Sequence, residues 1–149
     1  MPVYSVNKKA RFDYEILDTL EAGLVLTGPE VKSIRSGGAK LTGGFVTFHG
    51  NTALLTNAHI PKYAYSGRLP GYEPEHSRKL LLTQKELNYI RGKSQEQGLT
   101  IIPLSLYTRG RRIKLEIGVA RGKKKYDKRR TIKERETGRE VRRAVKEGK

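Results

Sequence analysis

Positive side chains near a segment of alternating apolar residues are the first candidates for chemistry. Apolar and polar residues alternate from 112 to 120, which is typical of a half-buried strand. Lys114 therefore points outward in this strand. The same edge carries three arginines: Arg109, Arg111 and Arg112. A positive edge of this kind can bind phosphate groups, although a solvated surface without a partner would have the same composition.

A carboxylate in a strongly basic chain is the second candidate. Glu21 lies between Leu20 and Ala22 in another segment that has the pattern of a strand. On a positive RNA-binding surface, a carboxylate can accept hydrogen bonds from base amino groups or ribose hydroxyls. An exposed strand position paired with a nearby lysine is the simpler interpretation, and residue chemistry alone favours it.

Residues that usually carry catalysis or bind metals do not form recognisable groups in this sequence. The absence of cysteine excludes disulfides, thiol chemistry and Cys-ligated zinc. The histidines do not have the spacing of metal ligands: His49, His59 and His76. The sequence contains no Walker loop, nucleophile elbow or dinucleotide-binding fingerprint. We therefore predict a protein that is not an enzyme and that has no metal or other cofactor.

Charge divides the chain into a body and a basic tail. The 149 residues include 31 Lys and Arg against 15 Asp and Glu, a formal net charge of +16. From Arg121 to Lys149 there are 14 basic and five acidic residues, and apolar residues become too sparse to build a core. We predict an RNA-binding body over residues 1–120 and a tail over 121–149 that is disordered when free and helical on its RNA partner.

Location can be predicted from the same composition. No apolar run approaches the roughly 18–20 residues of a membrane-spanning helix. The segment from Met1 to Lys9 lacks the apolar core of a signal peptide. We therefore expect a cytoplasmic protein. Nucleic acid is favoured over an anionic membrane as its partner, because the tail lacks the large apolar face of an interfacial helix.

The elements that must position these residues follow from periodicity. Five or six strands are predicted, over 12–26, 45–48, 52–55, 80–82, 100–108 and 112–120. The first of them has a bulge or bend near Asp18-Thr19. Two short helices begin after Thr27 and Thr83, the second running to about Gln97. This pattern matches a closed antiparallel barrel of the oligonucleotide-binding (OB) type, with short helices between its strands.

Two segments remain ambiguous at this stage. Residues 61–77 form a predicted irregular loop that contains Tyr63, Tyr65 and Tyr72, whose rings could stack on bases or pack on the end of the barrel. The segment from Asn7 to Arg11 is basic and short. We interpret it, from its residues alone, as a solvated terminus.

Nine blocks of sequence carry a further signal. They are Asn7–Arg11, Glu21–Leu24, Gly28–Ser33, Arg78–Leu82, Gly98–Thr100, Leu104–Tyr107, Gly118–Lys124, Asp127–Arg129 and Ile132–Glu136. In their order and spacing these blocks closely resemble the SmpB family, the SsrA-binding proteins of bacteria. The resemblance covers nearly the entire chain and implies the OB-type barrel with a C-terminal tail.

The resemblance also implies a noncatalytic adaptor of trans-translation. In that family, the body binds the tRNA-like domain of transfer-messenger RNA (tmRNA, or SsrA RNA). It brings this RNA, with elongation factor Tu and GTP, to stalled ribosomes. The tail enters the decoding centre and the message channel of the small subunit, where it is helical and substitutes for codon–anticodon pairing. The nascent peptide is then tagged for proteolysis. We expect such a protein to act as a monomer.

Site residues follow from the same resemblance, position by position. Glu21, Leu81 and Lys114 match the family's RNA-binding residues, which changes the interpretation of Glu21 to a functional one. The remaining expected tmRNA-binding residues lie in the matching basic blocks: Asn7, Lys8, Lys9, Arg11, Lys32 and Lys79. The tail residues expected to act on the ribosome are Gly122, Lys123, Lys124, Tyr126, Asp127, Lys128, Arg129 and Arg130.

Three positions depart from the family pattern, and other classes of protein remain open. Tyr126 stands where many members have His, Thr83 where some have Asn, and Thr137 where some have an aromatic residue. One alternative is a structural ribosomal protein or general basic OB-fold RNA-binding protein. Another is an RNA-processing enzyme that uses a histidine and a carboxylate.

Overall fold

Seven strands and three helices make up the part of the chain that the structure, a computed structural model, describes: residues 2–123. The strands are β1 (Val3–Val6), β2 (Tyr14–Leu24), β3 (Phe45–His49), β4 (Thr52–Thr56), β5 (Arg78–Leu81), β6 (Leu99–Arg109) and β7 (Arg112–Gly122). The helices are α1 (Lys8–Asp13), α2 (Gly28–Arg35) and α3 (Gln84–Ser94). The predicted mainly β architecture with short helices is confirmed.

The strands pair in the order β1-β6-β7-β2-β5-β4-β3, and every neighbouring pair is antiparallel. The strand β3 approaches β6 across the core. Within residues 2–123, however, no paired residues join the two outer strands, β1 and β3. The sheet is therefore not closed by hydrogen bonds, and the predicted closed barrel is not confirmed.

Apolar side chains on the inward faces of the strands form the main core. In β7, the inward residues Ile113, Leu115 and Ile117 are buried, whereas the residues between them are exposed or half-buried. The helix α3 adds the buried residues Leu87 and Ile90. None of the helices in the described range is long and apolar enough to cross a membrane.

Capping boxes explain why α2 and α3 begin where the sequence predicts. Thr27 and Thr83 accept a hydrogen bond from the third residue of each helix, and the glutamate at that position bonds back to the cap. The helix α3 ends at Ser94, earlier than the predicted Gln97. A turn then leads to Gly98, whose φ of +81° is one that glycine adopts without strain.

The N-terminal segment is folded, so its interpretation as a solvated terminus was wrong. Strand β1 pairs with β6, and α1 covers a small apolar cluster made of Ala10, Ile102, Leu104 and Ala120. Asn7 caps α1 through its Oδ1 atom, which accepts a hydrogen bond from the N–H of Ala10 at 3.1 Å. A four-residue strand and a six-residue helix are too short for hydrophobic periodicity to indicate them.

Strand β2 is bent, and strand β7 is longer than expected. The register of β2 against β7 shifts between Ile16 and Asp18, close to the predicted bulge. Strand β7 continues to Gly122, and the N–H of Lys123 donates to the carbonyl of Asp13 at 2.9 Å. The paired structure thus extends beyond Ala120, where we placed the end of the body.

A buried ion pair organises the connection between β4 and β5. Arg78 Nε lies 2.6 Å from Glu30 Oε2, and the two side chains are 0% and 1% exposed. The guanidinium of Arg78 also donates to the carbonyls of Ala58, Pro74 and His76. Because Glu30 belongs to α2, the pair fastens the loop to that helix.

The tyrosines of this loop differ in how far they pack against the body. The hydroxyl of Tyr72 donates to the carbonyl of Ile60 at 2.7 Å, so this residue packs against the body. Tyr65 is 86% exposed, and its ring makes an edge contact with Tyr63 at a centroid distance of 5.5 Å. Tyr65 alone of the three projects far into solvent.

Candidate nucleic-acid interface

Four residues from four strands form one outward row across the sheet. Tyr107 of β6 pairs with Lys114 of β7, Lys114 pairs with Gly23 of β2, and Gly23 pairs with Leu81 of β5. Residues in such a row share one face of the sheet. Leu81 is 50% exposed. The structure thus brings together Leu81 and Lys114, two of the residues expected to bind RNA.

The middle of the row is flat because Gly23 has no side chain. A Cβ atom built there would lie 3.1 Å from the Cβ of Leu81, closer than most such contacts. The same region opens into a groove of about 340 Å³, whose lining includes Leu81, Val31, Leu26, Arg111, Arg112 and Lys114. The groove is therefore lined by apolar and positively charged side chains together.

Glu21 lies on the same face, two residues before Gly23. Its Oε2 atom accepts hydrogen bonds from the hydroxyl of Tyr107 at 2.5 Å and from Nε of Arg109 at 2.9 Å. No hydrogen bond reaches its other oxygen, Oε1, from within residues 2–123. The side chain is 31% exposed. The structure therefore leaves Oε1 able to accept a hydrogen bond from a partner.

Electrostatics keep this carboxylate charged. The hydrogen bond from Tyr107 is the main cause that lowers the pKa of Glu21, and the positive charges of Arg109 and Lys114 add to it against the opposing effect of desolvation. Burial, followed by the hydrogen bond to Glu21, raises the pKa of Tyr107 to about 12. At neutral pH, Glu21 is thus an acceptor and Tyr107 a donor.

The other basic residues expected at the interface are exposed, and two of them can be placed relative to this row. Lys79 is exposed two residues before Leu81 and shares its face of β5. Arg11 of α1 lies 3.1 Å from Glu116, which is paired with Glu21 across the strands. Also exposed are Lys8, Lys9 and Lys32.

Asn7 is the expected RNA-binding residue that the structure places inside the body. It is 3% exposed, and its Nδ2 atom donates to the carbonyl of Pro103 at 2.9 Å. With Oδ1 occupied by the cap of α1, the amide is used within the fold. Its burial favours a role in holding α1 over a direct RNA contact.

Tyr107 is the residue of this interface that our sequence interpretation missed. It lies in a block that resembles the family, but residue chemistry gave no reason to single it out. The hairpin between β6 and β7 could have identified it, because a two-residue turn at Gly110-Arg111 places Tyr107 opposite Lys114.

Histidine and carboxylate pairs occur elsewhere in the described structure. His76 Nε2 lies 2.9 Å from Glu30, and His59 Nδ1 lies 2.7 Å from Glu75. Glu30 is buried against Arg78, so the first pair belongs to the loop anchor. Across residues 2–123, no three His, Asp or Glu side chains are placed together as metal ligands.

Of the residues expected to act on the ribosome, two can be located. Gly122 ends β7 opposite Tyr14, and Nζ of Lys123 donates to the carbonyl of Arg11 at 3.2 Å. The tail thus begins beside α1. The remaining expected residues lie outside the described range: Lys124, Tyr126, Asp127, Lys128, Arg129 and Arg130.

Comparison with known proteins identifies relatives along nearly the whole chain. A protein in Streptomyces avermitilis, described as SsrA-binding protein, is 53% identical over 143 residues, covering 96% of this chain and 80% of that protein. The SsrA-binding protein of Roseiflexus sp. (strain RS-1) is 51% identical over 145 residues, covering 97% and 92%.

A solved structure and a family model agree with these relatives. One chain of the structure described as "tmRNA-SmpB: a journey to the center of the bacterial ribosome" matches with a TM-score of 0.70 and 44% identity. The match covers 84% of this chain and 87% of that one. The family model described as SmpB protein matches residues 4–147. With this coverage, and with relatives that share half of its residues, the chain belongs to the SmpB family.

Proposed function

We propose that this protein is an RNA-binding adaptor of trans-translation whose outward row binds the tRNA-like domain of tmRNA. The observation that carries the proposal is the row Tyr107–Lys114–Gly23–Leu81 with Glu21 beside it. One face thereby offers a cation for phosphate, an apolar surface for a sugar or base, and an acceptor for donor groups on RNA. Membership of the SmpB family supports the choice of RNA.

Each part of the interface has a chemical role in this proposal. Lys114 and Lys79 contact phosphates, and so do the nearby Arg111 and Arg112. Leu81 packs against a sugar or base beside the flat position of Gly23. The basic residues of α1 and α2 extend the positive surface: Lys8, Lys9, Arg11 and Lys32. Asn7 contributes by fixing α1 in place.

The ribosomal part of the proposal concerns the tail. The protein delivers tmRNA, together with elongation factor Tu and GTP, to stalled ribosomes. Eight residues of the tail then act in the decoding centre and the message channel of the small subunit, in place of codon–anticodon pairing: Gly122, Lys123, Lys124, Tyr126, Asp127, Lys128, Arg129 and Arg130. We propose that it does so as a cytoplasmic monomer and catalyses no reaction itself.

Reversing the charge of Lys114 tests the interface. The full chain and the variant Lys114→Glu are titrated with the tRNA-like domain and with an ordinary tRNA over a series of salt concentrations. Salt is varied because a protein of net charge +16 binds any RNA when ionic strength is low. The matched control is Lys40→Glu, which makes the same charge change at an exposed residue outside the row.

The two variants should behave differently at physiological salt. We expect Lys114→Glu to lower affinity for the tRNA-like domain about tenfold, a loss of about 1.4 kcal/mol, and to reduce the preference over ordinary tRNA. Lys40→Glu should lower the affinity for both RNAs slightly and equally. If both variants lower the affinity for both RNAs to the same extent, the protein is better described as a general basic RNA-binding protein.

A further inference from the structure

We infer that Tyr107 is a positioning residue for RNA recognition: its hydroxyl holds the carboxylate of Glu21 so that Oε1 faces the bound RNA. This inference rests on the proposed function, because it assigns a role within the same interface. Tyr107 itself need not touch the RNA. Its contribution is the orientation of its neighbour.

The geometry around Tyr107 is that of a fixed donor. Its strand, β6, lies between β1 and β7, and Tyr107 is paired with Val3 on one side and Lys114 on the other. Its hydroxyl donates to Glu21 Oε2 at 2.5 Å, and Arg109 Nε approaches the same oxygen at 2.9 Å. Two donors on one oxygen define the plane and direction of the carboxylate.

Without Tyr107, the neighbouring cations would compete for Glu21. Lys114 and Arg109 both attract the carboxylate, and an exposed glutamate can rotate to pair with whichever cation is nearer. An ion pair with Lys114 would occupy the acceptor and also withdraw the lysine from phosphate. The tyrosine hydroxyl therefore keeps two functional groups of the row available at once.

A carboxylate held in this way contributes to selectivity. Its negative charge repels a phosphate, whereas its Oε1 atom accepts a hydrogen bond from a base amino group or a 2′-hydroxyl. Loss of its orientation should therefore weaken the specific complex more than nonspecific attraction to any RNA. This difference separates the inference from a purely electrostatic role of the surface.

A double-mutant cycle on the full chain tests the inference. The variants are Tyr107→Phe, which keeps the ring and removes the hydroxyl, Glu21→Gln, and the two combined. Each is titrated with the tRNA-like domain and with ordinary tRNA at physiological salt. The matched control is Tyr89→Phe, because Tyr89 also donates to a carboxylate of β2, that of Asp18, at 2.6 Å but lies outside the row.

The expected result is strong coupling between the two positions. Tyr107→Phe should lower affinity for the tRNA-like domain about threefold to tenfold, with little change for ordinary tRNA. Tyr107→Phe should not lower affinity further once Glu21 is replaced by Gln. The control Tyr89→Phe should leave the affinity for both RNAs unchanged. NMR titration of the Glu21 carboxyl should show its pKa rising in Tyr107→Phe, a change that a general loss of stability would not produce.

Failure of the inference and failure of the proposed interface give different results. If Glu21→Gln weakens binding but Tyr107→Phe does not, or if the two effects simply add, the positioning role is refuted and the interface stands. If Glu21→Gln itself changes nothing, the interface as proposed is refuted. Should Tyr107→Phe fold poorly, Arg109→Met replaces it in the cycle, because it removes the second donor to the same oxygen.

Discussion

Asn7 connects three parts of the structure through one small side chain. Its Oδ1 atom caps α1, its Nδ2 atom donates to Pro103 in β6, and its backbone N–H donates to the carbonyl of Leu104 at 2.8 Å. Every one of these bonds is buried or lies at a buried residue. Because buried polar groups are costly to leave unpaired, Asn7 fixes α1 on the sheet.

Replacing Asn7 with alanine should therefore affect stability and leave recognition intact. We expect Asn7→Ala to lower the free energy of unfolding by about 1–3 kcal/mol, since a cap and a buried hydrogen bond are lost together. Urea denaturation measures this change. Affinity of the folded variant for the tRNA-like domain should remain within about threefold of the original, which corresponds to less than about 1 kcal/mol.

The control for this variant is Asn88→Ala, at an exposed position of α3. Its stability should change by no more than about 0.5 kcal/mol. A variant Asn7→Ala that keeps full stability but loses RNA binding would show that Asn7 contacts the RNA directly, as the resemblance first implied.

At the residue scale, sequence reasoning succeeded where strand alternation decides the outcome. Lys114 points outward because its neighbours are core residues, and this orientation is confirmed. Sequence reasoning could not decide whether Asn7 is a buried helix cap or a surface contact, because an asparagine beside two lysines has the same sequence pattern in both cases. To identify Tyr107 as a neighbour of Lys114, the register of the β6–β7 hairpin must be known as well as the alternation of apolar residues.

The loop between β4 and β5 depends on a single buried carboxylate. Burial opposes the charge of Glu30, but hydrogen bonds from the backbone of Thr27 and from Arg78 outweigh it and lower the pKa of Glu30 below its ordinary value of 4.5. The folded state therefore favours ionised Glu30 more strongly than the unfolded chain does. Its contribution to stability is present above that ordinary pKa and is lost as pH falls through the lowered pKa.

Neutralising this carboxylate should destabilise the body strongly. We expect Glu30→Gln to lower the free energy of unfolding by about 3–5 kcal/mol near pH 7, because Arg78 is left as an uncompensated buried charge. The difference from the original protein should shrink as pH falls through the lowered pKa of Glu30, because Glu30 is then protonated in both the folded and the unfolded states of the original chain. Urea denaturation at a series of pH values measures both effects.

Glu75→Gln provides the matched control in the same loop. Glu75 pairs with His59 at the surface, where both side chains are well exposed, so its loss should cost at most about 1 kcal/mol. Equal destabilisation by the two variants would contradict the assignment of Glu30 as the anchor of the loop.

At the element scale, local signals predicted the elements and long-range closure was not predictable. The helix starts after Thr27 and Thr83 depend on capping residues close in sequence, and both are confirmed. Strand β1 and helix α1 were missed because their stability comes from pairing and packing against β6 and β2. Whether the outer strands pair depends on the whole sheet, which local patterns do not specify.

At the scale of the whole molecule, net positive charge is denser in the tail than in the body. Through residue 123, the chain has 19 Lys and Arg against 10 Asp and Glu, and from 124 to 149 it has 12 against five. Both parts can attract RNA through their positive charge, but the proposed interface, which combines cations with the carboxylate of Glu21, lies on the sheet. We therefore expect selectivity to reside in the body, and we propose that the tail acts at a later step on the ribosome.

The division of the chain near Ala120 follows from composition, because sparse apolar residues cannot form a core, and it stays a prediction. The pairing of β7 continues to Gly122 opposite Tyr14, two residues beyond the predicted end of the body. A truncation that tests the body should accordingly retain Lys123, whose N–H bonds to Asp13. The conformation predicted for the tail concerns residues outside the described range and stays a prediction.

A triple substitution in the tail should separate RNA binding from peptide tagging. The variant Asp127→Ala, Lys128→Ala, Arg129→Ala removes one net positive charge, so general attraction to RNA should change little. We expect its affinity for tmRNA to stay within about threefold of the original, or less than about 1 kcal/mol. Tagging on stalled ribosomes should nevertheless be lost, because these residues are proposed to act in the decoding centre after delivery.

The control removes the same net charge farther along the tail, through Arg142→Ala, Arg143→Ala and Glu147→Ala. Filter binding measures affinity, and a reconstituted translation system with a message that lacks a stop codon measures tagging. Loss of tagging in the first variant together with weaker tmRNA binding would mean that the tail captures RNA. Undiminished tagging would refute its decoding role. If tagging is lost only in the first variant and tmRNA binding is intact in both, the decoding role belongs to residues 127–129 in particular, because the control has the same net charge.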